Sequence, residues 1–389
     1  MNLLFLTEYQ VVNNQGGVER VTHLLSDFFK QKRINVFNVF IKCHNNKLAD
    51  NEFHFSNSKI KSIENIEFLR KIISENNISI VINQMGFNVD IIKLLRKINS
   101  DITLVSYLHS SITYEATFNE LLLSKGLILN KSLIYNLKVL FKPIYLYILR
   151  IKLKINLIFI YKHSNNVILL SDKFTSKFMH ISGINNPKKL VFIPNPINPN
   201  FQFNIDSLNN KEKTILFVGR LQHGKRVDLI LNVWQKLYSE FPDWDLKIIG
   251  DGPKFSEIKS LEKKLKLQNV NILGNSSKVE THYSKASIFL SLSAFEGFPM
   301  VLTEAATFGV VPVVYNTFDS VTDLIINDET GFIIPNLNEE ILLSKLRILM
   351  TDDTLRYNMA TRGYNYIRKF NLDKIWSEWE LLFKNLYIY

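Results

Sequence analysis

Short apolar runs alternate with stretches of helical spacing along almost the whole chain, and this alternation limits the possible folds more than any other feature. Strands that alternate with helices form parallel sheets, because each crossover helix returns the chain to the same edge. In the first half we predict helices at residues 18–32, 63–75 and 89–98 and the strands NLLFLTEY, VFNVFI, ISIVIN and ITLVSYLH. The first half therefore predicts a doubly wound α/β domain.

The second half repeats the pattern. Its predicted strands are TILFVG, DLKIIG, NVNILG, IFLSLS and VVPVVY, separated by helices at 229–241 and 255–267, a short helix, and one that ends before Gly309. Between the halves, the prolines of VFIPNPINPNFQFN forbid regular structure. We therefore predict a first domain (1–195), a linker (196–212), a second domain (213–370) and a C-terminal amphipathic helix (371–389) that crosses back to the first domain.

Length and composition agree with two folded domains. The chain has 389 residues, 46% apolar and 21% charged, which is typical of folded proteins. The single cysteine, Cys43, excludes an intramolecular disulfide and favours a reducing compartment. The start MNLLFLTEYQ lacks a basic leader and favours a buried strand over a secretory signal. We expect a cytoplasmic protein.

The net positive charge of the chain comes from its first half. The net charge is +11, but residues 1–195 carry 25 Lys and Arg against 13 Asp and Glu, whereas residues 196–389 carry 22 against 23. The excess predicts an anionic partner, which could be lipid headgroups, a phosphorylated acceptor or nucleic acid. Nucleic acid is least favoured, because no nucleic-acid-binding motif accompanies the charge.

One segment, residues 125–162, concentrates this charge. No acidic residue occurs between Glu120 and Asp172, while eight Lys and Arg are interleaved with Leu, Ile, Phe and Tyr. Charges at 150–154 interrupt the apolar run, so we expect the segment to lie on an anionic membrane surface at the inner face of the cell membrane, without crossing it. The alternative is two ordinary packed helices with a solvated basic face.

The strongest functional signal is FEGFPMVLTEAATFG, residues 295–309. We expect a helix between Pro299, which suits a first helical turn, and Gly309, which suits a helix end. The helix would open at the carboxyl end of a parallel strand, where free amides and the helix dipole favour a diphosphate. Glu296 could hold a hydroxyl of the transferred sugar, and Glu304 the ribose diol.

A second signal is FVGRLQHGKRVDLI, residues 217–230, where Arg220 and Lys225 flank a short loop after a strand. Both cations would lie at the carboxyl edge of the sheet, where open α/β domains bind ligands. They could neutralise negative charge that grows on a departing diphosphate. Taken alone, the segment is equally consistent with an exposed Arg and Lys in a loop.

The first half contributes weaker signals. Gly16 and Gly17 permit close approach of the backbone to a ligand before a helix, although turns use the same residues. His109 ends the strand ITLVSYLH on the expected cleft side and could hydrogen-bond a sugar hydroxyl, although a lone histidine at a strand end is more often structural. The other histidines show no spacing typical of a metal site.

Together, VGRLQHGKRVDLI, IIGDGP (248–253) and FEGFPMVLTE resemble the retaining GT-B glycosyltransferases of sequence family 4, which make bacterial capsules, O-antigens, teichoic acids and glycolipids. The resemblance covers nearly the whole chain and is most specific across 214–316. It implies a GT-B fold, with two doubly wound Rossmann-like domains facing across a cleft and the donor held mainly by the second. The chain departs from the usual pattern at Asn195-Pro196, where many relatives read Asn-Gly, and at Lys225-Arg226, where many read Lys-Gly.

The resemblance also implies residue roles. Arg220 and Lys225 look like the pair that binds the donor diphosphate, and Glu304 looks like the carboxylate that holds the ribose. Glu296 resembles the first glutamate of the E-x₇-E motif, which contacts the donor sugar. The implied donor-binding set is Gly16, Gly17, Arg220, Lys225, Glu296, Gly297, Phe298, Pro299, Met300, Val301 and Glu304. The implied catalytic set is His109, Glu296, Arg220 and Lys225.

The implied reaction moves a hexosyl unit from a nucleotide diphosphate-sugar, with uridine the commonest base, to a saccharide or polyprenyl-linked acceptor with retained configuration. A diphosphate is a weak base, so cations and helix amides can replace a protonating acid, and we expect no metal and no cofactor besides the nucleotide-sugar. Two alternatives stay open. A non-catalytic nucleotide-sugar-binding subunit would bind donor without turnover, and an epimerase would convert donor with no acceptor present.

Overall fold

The structure is a computed structural model that describes residues 1–11, 16–43, 48–57, 59–99, 101–124 and 133–387. The chain divides into two compact units. Unit 1 consists of Met1–Ala116, Phe141–Pro196 and Leu372–Tyr389, and unit 2 consists of Thr117–Leu140 and Ile197–Asn371. Residues 117–124 and 133–140 thus group with unit 2, whereas the sequence analysis assigned all of 1–195 to the first domain.

Unit 1 is built on a single parallel sheet. In the described residues it has seven strands in the order β3-β2-β1-β4-β5-β6-β7. These strands are β1 (Asn2–Tyr9), β2 (Asn35–Lys42), β3 (Glu52–His54), β4 (Ile80–Asn83), β5 (Thr103–Leu108), β6 (Asn166–Leu169) and β7 (Leu190–Phe192). The central strand β1 is buried from Leu3 to Leu6, as expected of a strand covered by helices on both faces.

Helices alternate with these strands along the chain. They are α1 (Gly17–Gln31), α2 (Ile63–Glu75), α3 (Val89–Ile98), α4 (Tyr114–Leu123), α5 (Leu133–Leu140), α6 (Lys142–His163) and α7 (Lys173–Ser182). Both α2 and α3 begin at polar caps, where the Ser62 side chain accepts from the Asn65 amide and the Asn88 side chain from the Asp90 amide. No helix in the described ranges has both the length and the apolar character needed to cross a membrane.

Unit 2 is built in the same way. Its described residues form six parallel strands in the order β10-β9-β8-β11-β12-β13. They are β8 (Thr214–Val218), β9 (Asp245–Ile249), β10 (Val270–Gly274), β11 (Ile288–Ser291), β12 (Val311–Tyr315) and β13 (Phe332–Ile334). The helices are α8 (Val227–Gln235), α9 (Phe255–Leu265), α10 (Val279–Lys285), α11 (Met300–Thr307), α12 (Val321–Leu324), α13 (Glu339–Thr351) and α14 (Asp353–Ile367).

The last helix, α15 (Leu372–Tyr387), packs into the core of unit 1. The buried ring of Trp379 has its centroid 5.2 Å from that of Phe29 on α1 and 5.9 Å from that of Tyr107 on β5. Phe383 lies 5.5 Å from the same Phe29 ring. Aromatic side chains bury large apolar areas. The contacts of α15 therefore complete an aromatic core whose other members come from the first third of the chain.

The two parallel sheets confirm the predicted fold class, and the helices predicted at 63–75 and 89–98 have those bounds. The helix predicted at 229–241 ends earlier, at Gln235, although Leu237 beyond it is fully buried. The short strands β3, β6, β7 and β13 were not predicted. The linker expected to be irregular contains a 3₁₀ helix, Ile205–Asn210, where the Asn204 side chain accepts from the Asp206 amide at 3.1 Å.

Candidate active site

Two of the glycine-containing motifs meet at the carboxyl ends of β8 and β9. The Gly219 amide donates to the Ile249 carbonyl at 3.0 Å, and the Leu221 amide donates to the Asp251 carbonyl at 2.9 Å. Gly250 has φ +136°, and a Cβ there would lie 2.0 Å from the Gly219 carbonyl oxygen. Only glycine allows this approach. The contact positions the loop that carries Arg220.

The loop after β8 also meets the glutamate-containing motif. Gly224 is buried, its carbonyl accepts from the Ala294 amide at 2.8 Å, and a Cβ on it would lie 2.6 Å from the Phe295 ring. This close packing brings Lys225 to Glu296, where the ammonium Nζ donates to Oε1 at 2.5 Å. The structure thus pairs two residues to which the sequence analysis assigned separate ligand contacts.

Arg220 and Arg226 lie on either side of Lys225 in the same loop. Arg220 is exposed, and its side chain makes no hydrogen bond or ion pair with any residue that the structure describes. Arg226 has φ +50° and ψ 42°, in the left-handed region that favours glycine, which is the residue that the resemblance implies at this position. Its guanidinium donates to the Asn336 side chain at 2.9 Å. Partial burial lowers the pKa of Arg226.

Helix α11 begins where the sequence analysis expected, directly after the segment 296–299. Pro299 is the residue before the first helical turn, and no side chain caps that end in the described residues. Gly297 is held by the Ser320 hydroxyl, which donates to its carbonyl at 2.5 Å, and Phe298 packs edge-on against Phe370. Met300 and Val301 form the first turn. The free amides of this turn can favour an anionic ligand.

Glu304 lies on α11 and is only 1% exposed. The buried Tyr283 hydroxyl, on α10, donates to its Oε2 at 3.0 Å. A carboxylate buried in this way needs hydrogen-bond donors, because burial removes its contacts with water. The sequence analysis missed Tyr283. It lies in the segment THYSKA, which has no motif that would distinguish it.

In unit 1, Gly16 and Gly17 lie at the start of α1. Gly16 has φ +39°, and a Cβ on it would lie 1.9 Å from Oε2 of Glu19, whereas a Cβ on Gly17 would meet no atom of the described residues within 4 Å. The positive φ and the close Glu19 side chain therefore require glycine at position 16. Gly17 has no such structural requirement, so a ligand contact remains the prediction for it.

His109 follows β5, and its Nε2 is hydrogen-bonded to Oε1 of Gln84, the residue directly after β4. Its ring lies against that of Tyr107, with centroids 4.0 Å apart. The residue keeps partial solvent exposure, but the ring is enclosed by protein, and this burial lowers the pKa of His109 to about 3. The sequence analysis missed Gln84. Like His109, Gln84 is a polar residue at the carboxyl end of a predicted strand, here ISIVIN, so the same reasoning could have identified it.

No group of three or more His, Cys, Asp and Glu side chains in the described ranges could hold a metal ion. Residues 125–132 of the basic segment lie outside the described residues, and the rest of it forms α5 and α6. The roles of Gly16, Gly17, His109, Arg220, Lys225, Glu296 to Val301 and Glu304 stay predictions.

The fold is that of the GT-B glycosyltransferases. The crystal structure of Anabaena Alr3699/HepE in complex with UDP and glucose matches with a TM-score of 0.76, over 99% of this chain and 100% of that chain. The two sequences are 13% identical. A likeness at that identity shows the fold alone.

Residues 200–366 match the family model of the glycosyl transferases group 1. A curated relative from Haemophilus influenzae, an "Uncharacterized glycosyltransferase", is 34% identical over 185 residues, which are 47% of this chain and 52% of the relative. The Campylobacter jejuni GalNAc-alpha-(1->4)-GalNAc-alpha-(1->3)-diNAcBac-PP-undecaprenol alpha-1,4-N-acetyl-D-galactosaminyltransferase is 28% identical over 193 residues, 49% of this chain and 54% of the enzyme. The chain spans about half the length of these relatives.

Proposed function

We propose that the protein is a retaining, family 4 glycosyltransferase that transfers a hexosyl unit from a nucleotide diphosphate-sugar, with UDP as leaving group, in the synthesis of a bacterial surface polysaccharide. The observation that carries this proposal is the joining of Lys225 to Glu296 beside the exposed Arg220 at the carboxyl edge of the second sheet. All three residues lie within the matched stretch 200–366.

In this proposal the cations act on the departing diphosphate. Arg220 has an exposed guanidinium and can take up a phosphate by paired hydrogen bonds. Lys225 exchanges part of its interaction with Glu296 for the diphosphate as negative charge grows there, which stabilises the transition state more than the ground state. The backbone amides of Met300 and Val301 at the start of α11 add to the same effect.

Glu296 has a complementary role. Once Lys225 turns toward the diphosphate, the Glu296 carboxylate can accept hydrogen bonds from hydroxyls of the donor sugar. Glu304 holds the ribose diol, and the hydroxyl of Tyr283 keeps that carboxylate in one orientation. For unit 1, the resemblance implies that His109 contacts the transferred sugar and that Gly17 contacts the phosphate. Because Arg220 and Lys225 supply the positive charge that a divalent ion supplies elsewhere, the proposed reaction needs no metal.

The proposed acceptor is a saccharide carried on a polyprenyl diphosphate. Support comes from the Campylobacter jejuni relative, whose name specifies a glycan on PP-undecaprenol. An acceptor of this kind stays in the membrane, so the proposed location is the inner face of the cell membrane, with the protein bound peripherally. The excess of basic residues in the first half of the chain agrees with such a location.

A donor screen tests the proposal. Purified protein is incubated with a panel of UDP-, GDP- and TDP-sugars and with polyprenyl-linked acceptors, and released nucleotide is measured. We expect turnover with a UDP-sugar that requires acceptor, resists EDTA and gives a product with the anomeric configuration of the donor by NMR. Donor conversion without acceptor would identify an epimerase instead, and donor binding without turnover on any acceptor would identify a non-catalytic subunit.

Matched variants locate the site. Lys225→Ala and Glu304→Ala should each lower turnover by at least a hundredfold, as expected for groups that act on developing charge or position the donor. Lys213→Ala is the control, because Lys213 lies directly before β8, at the opposite end of that strand, and pairs with Asp243 at the same 2.5 Å. Equal effects of Lys213→Ala and Lys225→Ala would contradict the proposed site.

A further inference from the structure

Helix α6 carries a row of large apolar side chains that are exposed to solvent. Ile144, Tyr147, Ile148, Ile151 and Ile155 have relative exposures of 59%, 63%, 54%, 42% and 59%. Their positions correspond to i, i+3, i+4, i+7 and i+11, which places them on one face of the helix, over three turns. Soluble proteins rarely expose contiguous apolar surface of this kind unless it meets a partner.

Basic residues border this apolar row. With 3.6 residues per turn, Lys152 lies on one side of the row, and Arg150 and Lys154 lie on the other side. All three are exposed. Lys152 also pairs with Glu115 at 2.8 Å, at a site where both side chains are about half exposed. The helix itself contains no acidic residue. An exposed apolar stripe with cations on both sides suits the interface of an anionic bilayer.

The opposite face of α6 is already used by unit 1. Leu149, Leu157 and Ile160 are buried there. The carboxyl end of the helix is held by two cations: the Arg96 Nε donates to the His163 carbonyl at 2.8 Å, and the Lys189 Nζ donates to the Ser164 carbonyl at 2.8 Å. The helix is thus firmly attached to unit 1 through one face, and the apolar row is not a core surface that unit 1 has left unfilled.

We propose that α6 is the membrane-docking element of unit 1. It lies on an anionic bilayer with its axis parallel to the membrane plane. The apolar row from Ile144 to Ile155 enters the boundary between headgroups and acyl chains, and Arg150, Lys152 and Lys154 contact lipid phosphates. The inference deepens the membrane location in the proposed function by naming the contact surface. It rests on α6 alone and does not require the transferase reaction.

The charges favour lipid over a second copy of the chain as the occupant. If two α6 rows packed against each other, the bordering Arg and Lys side chains of both copies would come together, and like charges in contact are destabilising. Lipid phosphates neutralise the same cations. Each Lys or Arg near an anionic surface is expected to strengthen binding about fivefold.

Co-sedimentation with vesicles tests the inference. The full chain is mixed with vesicles of phosphatidylcholine alone or with added phosphatidylglycerol. We expect strong binding only to the anionic vesicles, weakened by salt. Ile148→Ser/Ile151→Ser should weaken this binding at least tenfold. The control is Ile63→Ser/Leu337→Ser, which removes two apolar side chains that are 72% and 59% exposed elsewhere, and its binding should equal that of the parent.

A second pair of variants tests the cations. Arg150→Glu/Lys154→Glu should also lower anionic-vesicle binding at least tenfold. Lys71→Glu/Lys384→Glu reverses two lysines of unit 1 whose side chains are 70% and 66% exposed, and it should have a much smaller effect. Circular dichroism should show every variant folded, and donor binding should be unchanged in all of them, which separates this test from that of the transferase.

Three results would overturn the inference. Vesicle binding that survives both sets of α6 substitutions would show that another surface contacts lipid. Equal losses in the α6 variants and their controls would show that general charge and hydrophobicity decide binding. A concentration-dependent dimer that Ile148→Ser/Ile151→Ser abolishes in sedimentation velocity, without vesicle binding by the parent, would assign the row to a second copy of the chain.

Discussion

Lys225 and Glu296 are 71 positions apart in the chain, yet they form an ion pair whose side chains are only 19% and 13% exposed. Such a pair lies in a less polar environment than bulk water, so each charge depends on the other. In the proposed reaction the incoming diphosphate competes with Glu296 for the ammonium group. The pair thus holds the lysine side chain in place before the donor binds.

The mutual dependence of this pair predicts a non-additive stability change. Lys225→Met should lower the free energy of unfolding by about 2 kcal/mol, because Glu296 is left partly buried without its partner. Adding Glu296→Gln should restore part of that loss, while turnover stays low in both variants. Urea denaturation measures the stability, and released nucleotide measures turnover. Strictly additive stability changes would contradict the coupling.

Tyr283→Phe should affect both stability and donor binding. The substitution removes the hydroxyl that donates to the buried Glu304 carboxylate, and loss of a hydrogen bond to a charged group costs about 1.5–3 kcal/mol. We expect UDP affinity to fall as well, measured by calorimetry. Tyr107→Phe is the matched control in unit 1, where the hydroxyl donates to the Ile193 carbonyl at 3.1 Å. It should lower stability and leave UDP affinity unchanged.

Gly17→Ala should separate a ligand contact from a structural requirement. Among the described residues, no atom lies within 4 Å of a Cβ at Gly17, and alanine favours helix over glycine by up to about 1 kcal/mol, so the melting temperature should stay the same or rise. If the position approaches the phosphate, turnover should still fall. Gly183→Ala, at φ +74° where a Cβ would lie 4.0 Å from Nζ of Lys154, should show the reverse: lower stability and normal turnover. Unchanged turnover in Gly17→Ala would remove the residue from the donor-binding set.

His109 should make the protein sensitive to acid. Its pKa is lowered from 6.5 to about 3 in the folded state. Between pH 6.5 and pH 3 the folded protein therefore binds fewer protons than the unfolded chain. Stability contributed by the neutral ring is complete above pH 6.5 and is lost as the pH falls toward 3.

Thermal melting between pH 7.5 and 4.5 checks this expectation. The melting temperature of His109→Asn should fall less steeply with acid than that of the parent, with His180→Asn, at an exposed position, as the control. Parallel curves for the parent and His109→Asn would contradict the assignment.

Long periodic segments could be predicted from the sequence, and short ones could not. The helices 63–75 and 89–98 have a clear apolar period and polar caps, and they were predicted at their observed bounds. Strands of three or four residues, such as Phe332–Ile334, offer too few positions to show a period. The helix predicted to reach residue 241 ends at Gln235, and the backbone after it forms successive turns. The apolar spacing continued past the helix end because Leu237 packs into the core.

The residues of the candidate site were located by motif, but their contacts were not. Nothing in the sequence shows that Lys225 meets Glu296, because that contact depends on Gly224 packing against Phe295. Gln84 could have been found by the rule that led to His109, since both follow neighbouring strands of the sheet. Tyr283 could not, because a tyrosine on a short helix has no distinguishing pattern. The departure at Arg226 from the expected glycine marks a residue with a left-handed backbone, a conformation that favours glycine.

The packing of Trp379 on Phe29 has a consequence for synthesis on the ribosome. The first strands and helices of unit 1 leave the exit tunnel early, but the helix that completes their aromatic core is translated only after the whole of unit 2. Until then the nascent chain keeps apolar surface open to water, a state prone to aggregation. Unit 2 is contiguous over 197–371 and can mature first, so the half of the protein that is made first should be the half that finishes folding last.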